Sequence, residues 1–291
     1  MRATMLASQL KRWKIAVGTV MVLLTAVGCS SPSSTVAPAV TSEPSAQFVL
    51  KMSGSTSAVS IMQAIQPAFE ADKPGHHLEL LAGSGSGSSS TPALEGVAKK
   101  VLDLAVINRQ LTDEEAAQGV EYTQFGNAAV AVFTHPALGV TSLTKKQVAA
   151  IFAGTITNWS EVGGPNLPIV PFARSEDQST TKSMRKAIFG ATPFAKNSQL
   201  VDKSTDLQVS IEGTPGSIGY GVWPNLLVSK AKVHAIALDG VAPSQPSYTV
   251  VQPLGISYRS DAKARIQSLM DWLLSEQGKT TLHKYEVITA W

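Results

Sequence analysis

Short apolar segments alternate along this chain with loops of Ser, Thr and Gly, and each loop runs into residues spaced at helical period. Ser53 to Ser57, Gly83 to Thr91 and Arg174 to Thr181 all repeat this unit of strand, small polar turn and helix. Strands that alternate with helices bury their apolar faces by layering, so the pattern predicts an α/β fold with mainly parallel sheets. Phe48 to Met52 reads as the first strand, and Ile61, Ile65 and Phe69 share one face of a helix running from Ser57 to Ala71. Pro67 falls inside that helix and predicts a kink or an early end. Leu78 to Leu81, Leu104 to Ile107 and Ala128 to Phe133 read as further strands, and Pro92 to Lys100 as a helix. Thr144 and Gln147 spell a capping box ahead of Val148, Ile151 and Phe152, with Gly154 closing the helix. Near the end, Ile266, Leu269, Met270, Leu273 and Leu274 form an apolar stripe that Gly278 is expected to stop.

With 291 residues, 44% of them hydrophobic, the chain is long enough for two domains. Its first residues stand apart from them. Arg2, Lys11, Arg12 and Lys14 precede an apolar run of 14 residues from Ile15 to Gly28, shorter than the roughly 20 that a spanning helix needs. Residues 1–28 therefore read as an export signal. Ala26-Val27-Gly28-Cys29 resembles a bacterial lipobox, with Ala26 in place of the usual Leu, which makes Cys29 a lipidation site; the alternative is a cysteine that happens to lie there. Ser30 to Ala46 is almost wholly Ser, Thr, Pro, Ala and Val, too little apolar surface to offset ordering entropy, so 29–46 reads as anchor and flexible tether. The layout is that of an exported protein held near a membrane without spanning it, in the periplasm or at the outer face of the cell membrane.

The whole chain carries 24 Lys plus Arg and 21 Asp plus Glu, but four of those cations and none of the acids precede Cys29, leaving 20 against 21. A nearly neutral body lacks the concentrated basic face that nucleic acid demands. A single cysteine excludes an internal disulfide. His76 and His77 are adjacent and point to opposite faces of an extended segment, so no metal ligand set is read from them, and no cofactor is expected. Trp159, Trp223, Trp272 and Trp291 read as packing residues.

Helix N-termini carry unpaired N–H groups and partial positive charge, and neighbouring hydroxyls add donors, so three such loops suit one shared oxyanion. The motifs sharpen this. Gly54-Ser55-Thr56-Ser57, the Gly83 to Ser88 run, Leu104 to Arg109, the stretch Ile151 to Trp159 followed by Glu161-Val162-Gly163-Gly164, and Pro215 to Tyr220 occur in order. Together they resemble phosphate-binding proteins of bacterial ABC transporters from about Val49 to the C-terminus. The Ile151 to Gly164 stretch is the most specific piece and is expected to serve the architecture of the second half.

The resemblance implies a two-lobed type II periplasmic-binding fold with crossing segments near Phe133 to Pro136 and Val250 to Leu254. Residues 47–133 plus 251–291 would form lobe 1, and 134–250 lobe 2. A monomer of this kind performs no chemistry: it closes on inorganic phosphate and presents it to a permease. Ser55, Thr56 and Ser57 are expected to supply hydroxyl and amide donors at the first helix. Aligning Glu95-Gly96 with the family's Glu-Gly puts Ser86, Gly87 and Ser88 at the ligand, where glycine lets the backbone approach closely. Asn108 stands where many relatives carry Asp or Ser, and its amide weakens discrimination against sulfate. Arg109 either faces the cleft or bridges to a carboxylate elsewhere.

Arg174 carries the charge of the third loop and can give two parallel N–H bonds to a phosphate edge. Glu176 is expected to accept the proton of monohydrogen phosphate and so repel fully ionised sulfate. The family's Ser-Gly-Thr appears here as Gln178-Ser179-Thr180, which leaves open which of Ser179, Thr180 and Thr181 touches the ligand. Hydrogen bonds to a charged group contribute roughly 1.5 to 3 kcal/mol each, so five or six reach the ~8 kcal/mol of micromolar capture without a metal. Two alternatives stay open: another tetrahedral oxyanion such as sulfate, molybdate or tungstate, and a serine hydrolase of phosphoesters, although no Gly-x-Ser-x-Gly is spelled. A sensing role would use the same cage.

Overall fold

The computed structural model describes residues 48–81 and 90–289. In the first part of the chain β1 (Phe48–Gly54), α1 (Thr56–Asp72), β2 (His76–Leu80), α2 (Ser90–Ala98), β3 (Leu104–Ile107), α3 (Asp113–Ala116) and β4 (Val120–Thr134) follow one another. Then come β5 (Ser142–Leu143), α4 (Lys145–Ala153), β6 (Val170–Ala173), α5 (Ser179–Met184), β7 (Gln199–Leu200), α6 (Ser204–Gly213), β8 (Ser217–Val222), α7 (Trp223–Val228) and β9 (His234–Leu238). The chain ends with β10 (Val251–Arg259), α8 (Lys263–Leu274), α9 (Glu276–His283) and β11 (Ile288–Thr289).

The strands join in the order β2-β1-β3-β10-β4-β8-β6-β7, and both ends of this path are parallel: β1 with β2 and β3, and β6 with β7 and β8. The middle is antiparallel, because β10 runs against β3 and β4, and β4 against β8. The sheet is therefore mixed rather than mainly parallel. The sequence reading found only the Ala128 to Phe133 end of β4, where every residue is buried and the apolar run is continuous. Its first half, Val120 to Asn127, is only partly buried and offers no such run.

β4 belongs to both halves of the sheet. Residues Val120 to Ala129 pair with β10, and Val130 to Thr134 with β8. The Val130 N–H donates to the Val250 carbonyl at 2.8 Å, and the Tyr248 hydroxyl donates to the Val130 carbonyl at 3.0 Å, so the two crossing strands are bonded where partners change. One apolar core gathers Leu50, Ile61, Phe69, Leu254 and Trp272, and another Phe152, Trp159, Met184, Tyr220 and Tyr248.

Several local expectations meet a physical correction. α1 continues through Pro67, because that ring and the Gln63 carbonyl whose helical bond it deletes both belong to exposed residues, where water can replace the bond. α8 ends at Leu274 with Ser275 as a break, and Gly278 lies inside α9, where a Cβ would stand 2.0 Å from the Trp272 carbonyl oxygen. The capping box forms as read: the Gln147 N–H donates to Thr144 Oγ1 at 3.1 Å and the Thr144 N–H to Gln147 Oε1 at 2.8 Å. Gly154 closes α4 at φ 77°, a left-handed position. Trp159, fully buried, donates Nε1–H to the Gly216 carbonyl at 2.9 Å, which accounts for the architectural weight of the Ile151 to Gly164 stretch.

Candidate functional site

The first wall of the site starts at Gly54. A Cβ there would lie 2.0 Å from the Val106 carbonyl oxygen, so glycine lets β1 close on β3, and the Ser55 N–H then donates to that same oxygen at 3.1 Å. Ser55 caps α1 in an extended conformation, yet its side chain makes no bond to the helix amides. Its buried Oγ has no protein partner. Asn108, just past β3, donates Nδ2–H to Ser57 Oγ at 3.3 Å, which leaves its buried Oδ1 without a partner. Arg109 bonds Glu115 with both terminal nitrogens and reaches Thr91 Oγ1 at 3.3 Å. That bonding holds the Glu115 carboxyl below its ordinary range, although burial works the other way.

The facing wall centres on Arg174 at the end of β6, only 5% exposed. Its N–H donates to the Tyr220 hydroxyl at 3.0 Å, Nη1 donates to Thr180 Oγ1 at 3.3 Å, and Nη2 donates to Gln178 Oε1 at 3.3 Å and to the Asp202 carbonyl. The buried Nε–H has no protein partner. Burial pulls the guanidinium pKa down, against the opposing pull of Asp202 and Asp177.

Between the walls lies a cavity of about 340 Å³. Ser55, Thr56, Ser57, Asn108 and Arg109 line it from one side, and Arg174, Ser179 and Thr180 from the other. The first residues of α1, α2, α5 and α6, which are Thr56, Ser90, Ser179 and Ser204, all reach it. Their amide ends converge on the space and favour negative charge. The unpartnered atoms Ser55 Oγ, Asn108 Oδ1 and Arg174 Nε all belong to lining residues. Buried polar groups are normally bonded, so these two donors and one neutral acceptor are open to bonds from within the cavity.

Of the other expected residues, Glu176 and Thr181 lie outside the cavity lining. Glu176 is not brought to the cavity: Arg185 takes its carboxylate at 2.6 and 3.1 Å, on a side chain 61% exposed, and this bonding holds its pKa down. That corrects the expectation that Glu176 faces the ligand. Thr181 is also outside the lining, because its buried hydroxyl donates to the Arg174 carbonyl at 3.2 Å and lies 2.9 Å from the Tyr220 hydroxyl. Arg109 combines both readings, since it lines the cavity and bridges to Glu115. Ser86, Gly87, Ser88 and Cys29 lie outside the described residues.

Sequence reasoning missed Gln178, Asp177, Lys182, Glu115 and Ser204, all of which line the cavity. Glu115 was signalled by the capping box it forms with Thr112. Among the described residues no cluster of His, Cys, Asp and Glu could hold a metal ion, and no helix is long and apolar enough to cross a membrane.

Several known proteins are similar to this chain in sequence and fold. The phosphate-binding protein PstS of Bacillus subtilis is 27% identical over 251 residues, covering 81% of each chain. PstS of Borreliella burgdorferi is 28% identical over 138 residues, 45% of this chain and 50% of that one. A crystal structure from Clostridium perfringens, described as a candidate phosphate ABC transporter substrate-binding protein with bound phosphate, superposes with a TM-score of 0.72 at 28% identity, over 84% of this chain and all of that one. An ABC-type phosphate transport receptor from Vibrio cholerae, at 24% identity and a TM-score of 0.60, shares the fold over 82% of this chain. The α/β class and the two-lobed form expected from the sequence are those of these structures. Residues 33–277 match a PBP superfamily domain, and the chain belongs to that superfamily.

Proposed function

We propose that this protein captures inorganic phosphate between two lobes, residues 47–133 plus 251–291 and residues 134–250, and hands it to an ABC permease. The observation that carries the reading is the buried set of Ser55 Oγ, Asn108 Oδ1 and Arg174 Nε, unpartnered within the protein and surrounded by helix N-termini. Similarity to the Clostridium perfringens protein supports phosphate as the anion. Ser55, Thr56, Ser57, Asn108, Arg109, Arg174, Ser179 and Thr180 bind it, with Ser86, Gly87 and Ser88 as candidates from the neighbouring loop. The protein acts as an exported monomer tethered through lipid at Cys29, and it is a carrier rather than an enzyme.

Calorimetric titration of the purified mature protein with phosphate, sulfate, molybdate and tungstate tests the reading. Phosphate is expected to bind in the micromolar range or tighter. A preference for another of these anions would reassign the ligand, and steady phosphoester hydrolysis lost in Ser86→Ala would replace the carrier by an enzyme.

A further inference from the structure

Tyr220 touches no part of the cavity, yet its hydroxyl sits at the junction that shapes the cavity's charged wall. It accepts the Arg174 N–H at 3.0 Å and lies 2.9 Å from Thr181 Oγ1, which itself donates to the Arg174 carbonyl at 3.2 Å. The first residue after β6 and the third residue of α5 are thereby fixed to one point on β8. The ring is fully buried and packs edge-on against both Phe152 and Phe189, each with its centroid 5.4 Å away. Strand β8 is itself anchored, because the Trp159 indole donates to the Gly216 carbonyl just before it. Neither Tyr220 nor Thr181 is needed to complete a helix cap, and Arg174 already has side-chain partners in Thr180 and Gln178.

We propose that Tyr220 is a positioning residue for anion capture: its hydroxyl holds the Arg174 to Thr181 loop in the shape that keeps the Arg174 Nε–H available to the ligand. The inference rests on the reading of this cavity as the oxyanion site. Without the hydroxyl, the Arg174 N–H is buried without a partner, and the loop must move to satisfy it. A guanidinium displaced by even 1 Å loses much of its directed bonding.

The test compares Tyr220→Phe, which keeps the ring, with Ser217→Ala, which removes another buried hydroxyl of β8 that donates to the Ile211 carbonyl at 3.0 Å, away from the loop. Titration with inorganic phosphate is expected to give about a tenfold weaker Kd for Tyr220→Phe and a change under twofold for Ser217→Ala. Nitrogen-15 NMR of the Arg Nε–H groups supplies a readout independent of the ligand. The Arg174 signal, assigned by its loss in Arg174→Lys, is expected to be sharp in the wild type and in Ser217→Ala, and to broaden or shift in Tyr220→Phe. An unchanged Arg174 signal in Tyr220→Phe, or equal affinity losses in both variants, would overturn the proposal. A wild-type protein that ignores phosphate while the signal responds as described would refute the phosphate reading and uphold the positioning role.

Discussion

Arg109 Nη1 and Nη2 each lie 2.7 Å from a carboxylate oxygen of Glu115, so a cation at the cavity wall is already neutralised by its own neighbour. The fork lowers the Glu115 pKa, and a depressed carboxylate stabilises the fold above its unfolded value of ~4.3 and loses that contribution as pH falls through the folded value. Thermal melts of the wild type are expected to drop below about pH 4.3, and Glu115→Gln to be less stable by about 1 kcal/mol at pH 7 with a flatter acid limb. Equal melting curves for the two proteins from pH 3 to pH 7 would refute this.

Arg174 is a buried cation of the cavity wall whose Nε–H has no protein partner. Arg174→Ala is expected to weaken phosphate binding about a hundredfold or more, because bonds from a charged donor contribute roughly 1.5 to 3 kcal/mol each. Arg174→Lys restores little, since an ammonium cannot reproduce the planar fork. Titration calorimetry of both variants decides it.

Selectivity is expected to reside in Asn108, whose buried Oδ1 has no protein partner. Asn108→Asp adds a charge that accepts a phosphate O–H but repels sulfate. The ratio of sulfate Kd to phosphate Kd should rise at least about tenfold; competition binding at pH 7 measures it, and an unchanged ratio removes Asn108 from selectivity.

Glu176→Gln serves as the counterpart. Its carboxylate is spent on Arg185 at the surface, so phosphate affinity and the sulfate ratio should stay within about twofold and stability within about 1 kcal/mol.

Gly54→Ala is expected to destabilise the protein by about 1 to 3 kcal/mol, because the new methyl meets the Val106 carbonyl and must push β1 from β3. Urea unfolding measures the loss. Gly221→Ala, whose Cβ would meet only Phe133 ring carbons at 3.4 and 3.7 Å, should cost less.

What the sequence made legible was local. The Thr144 and Gln147 box, the left-handed Gly154 and the hydroxyls that open α1 and α5 are each determined by residues within a few positions. Arg174 stood out because it opens a polar loop behind a strand, and Asn108 because the resemblance places it where many relatives carry Asp or Ser. Glu176 misled because its nearest partner, Arg185, lies nine residues on and comes within reach only after α5 has turned into the π-helical stretch Arg185–Phe189. Gly278 misled for a related reason: glycine after an apolar stripe signals a helix end, whereas here it answers a carbonyl from the preceding helix. Ser204 reaches the cavity through the placement of α6, which no nearby periodicity encodes.

The unbroken run of β4 through both halves of the sheet has a mechanical corollary. Since the crossing strands are zipped together at Val130 and Val250, any gape of the cavity must flex a hydrogen-bonded ribbon instead of swinging on a slack joint.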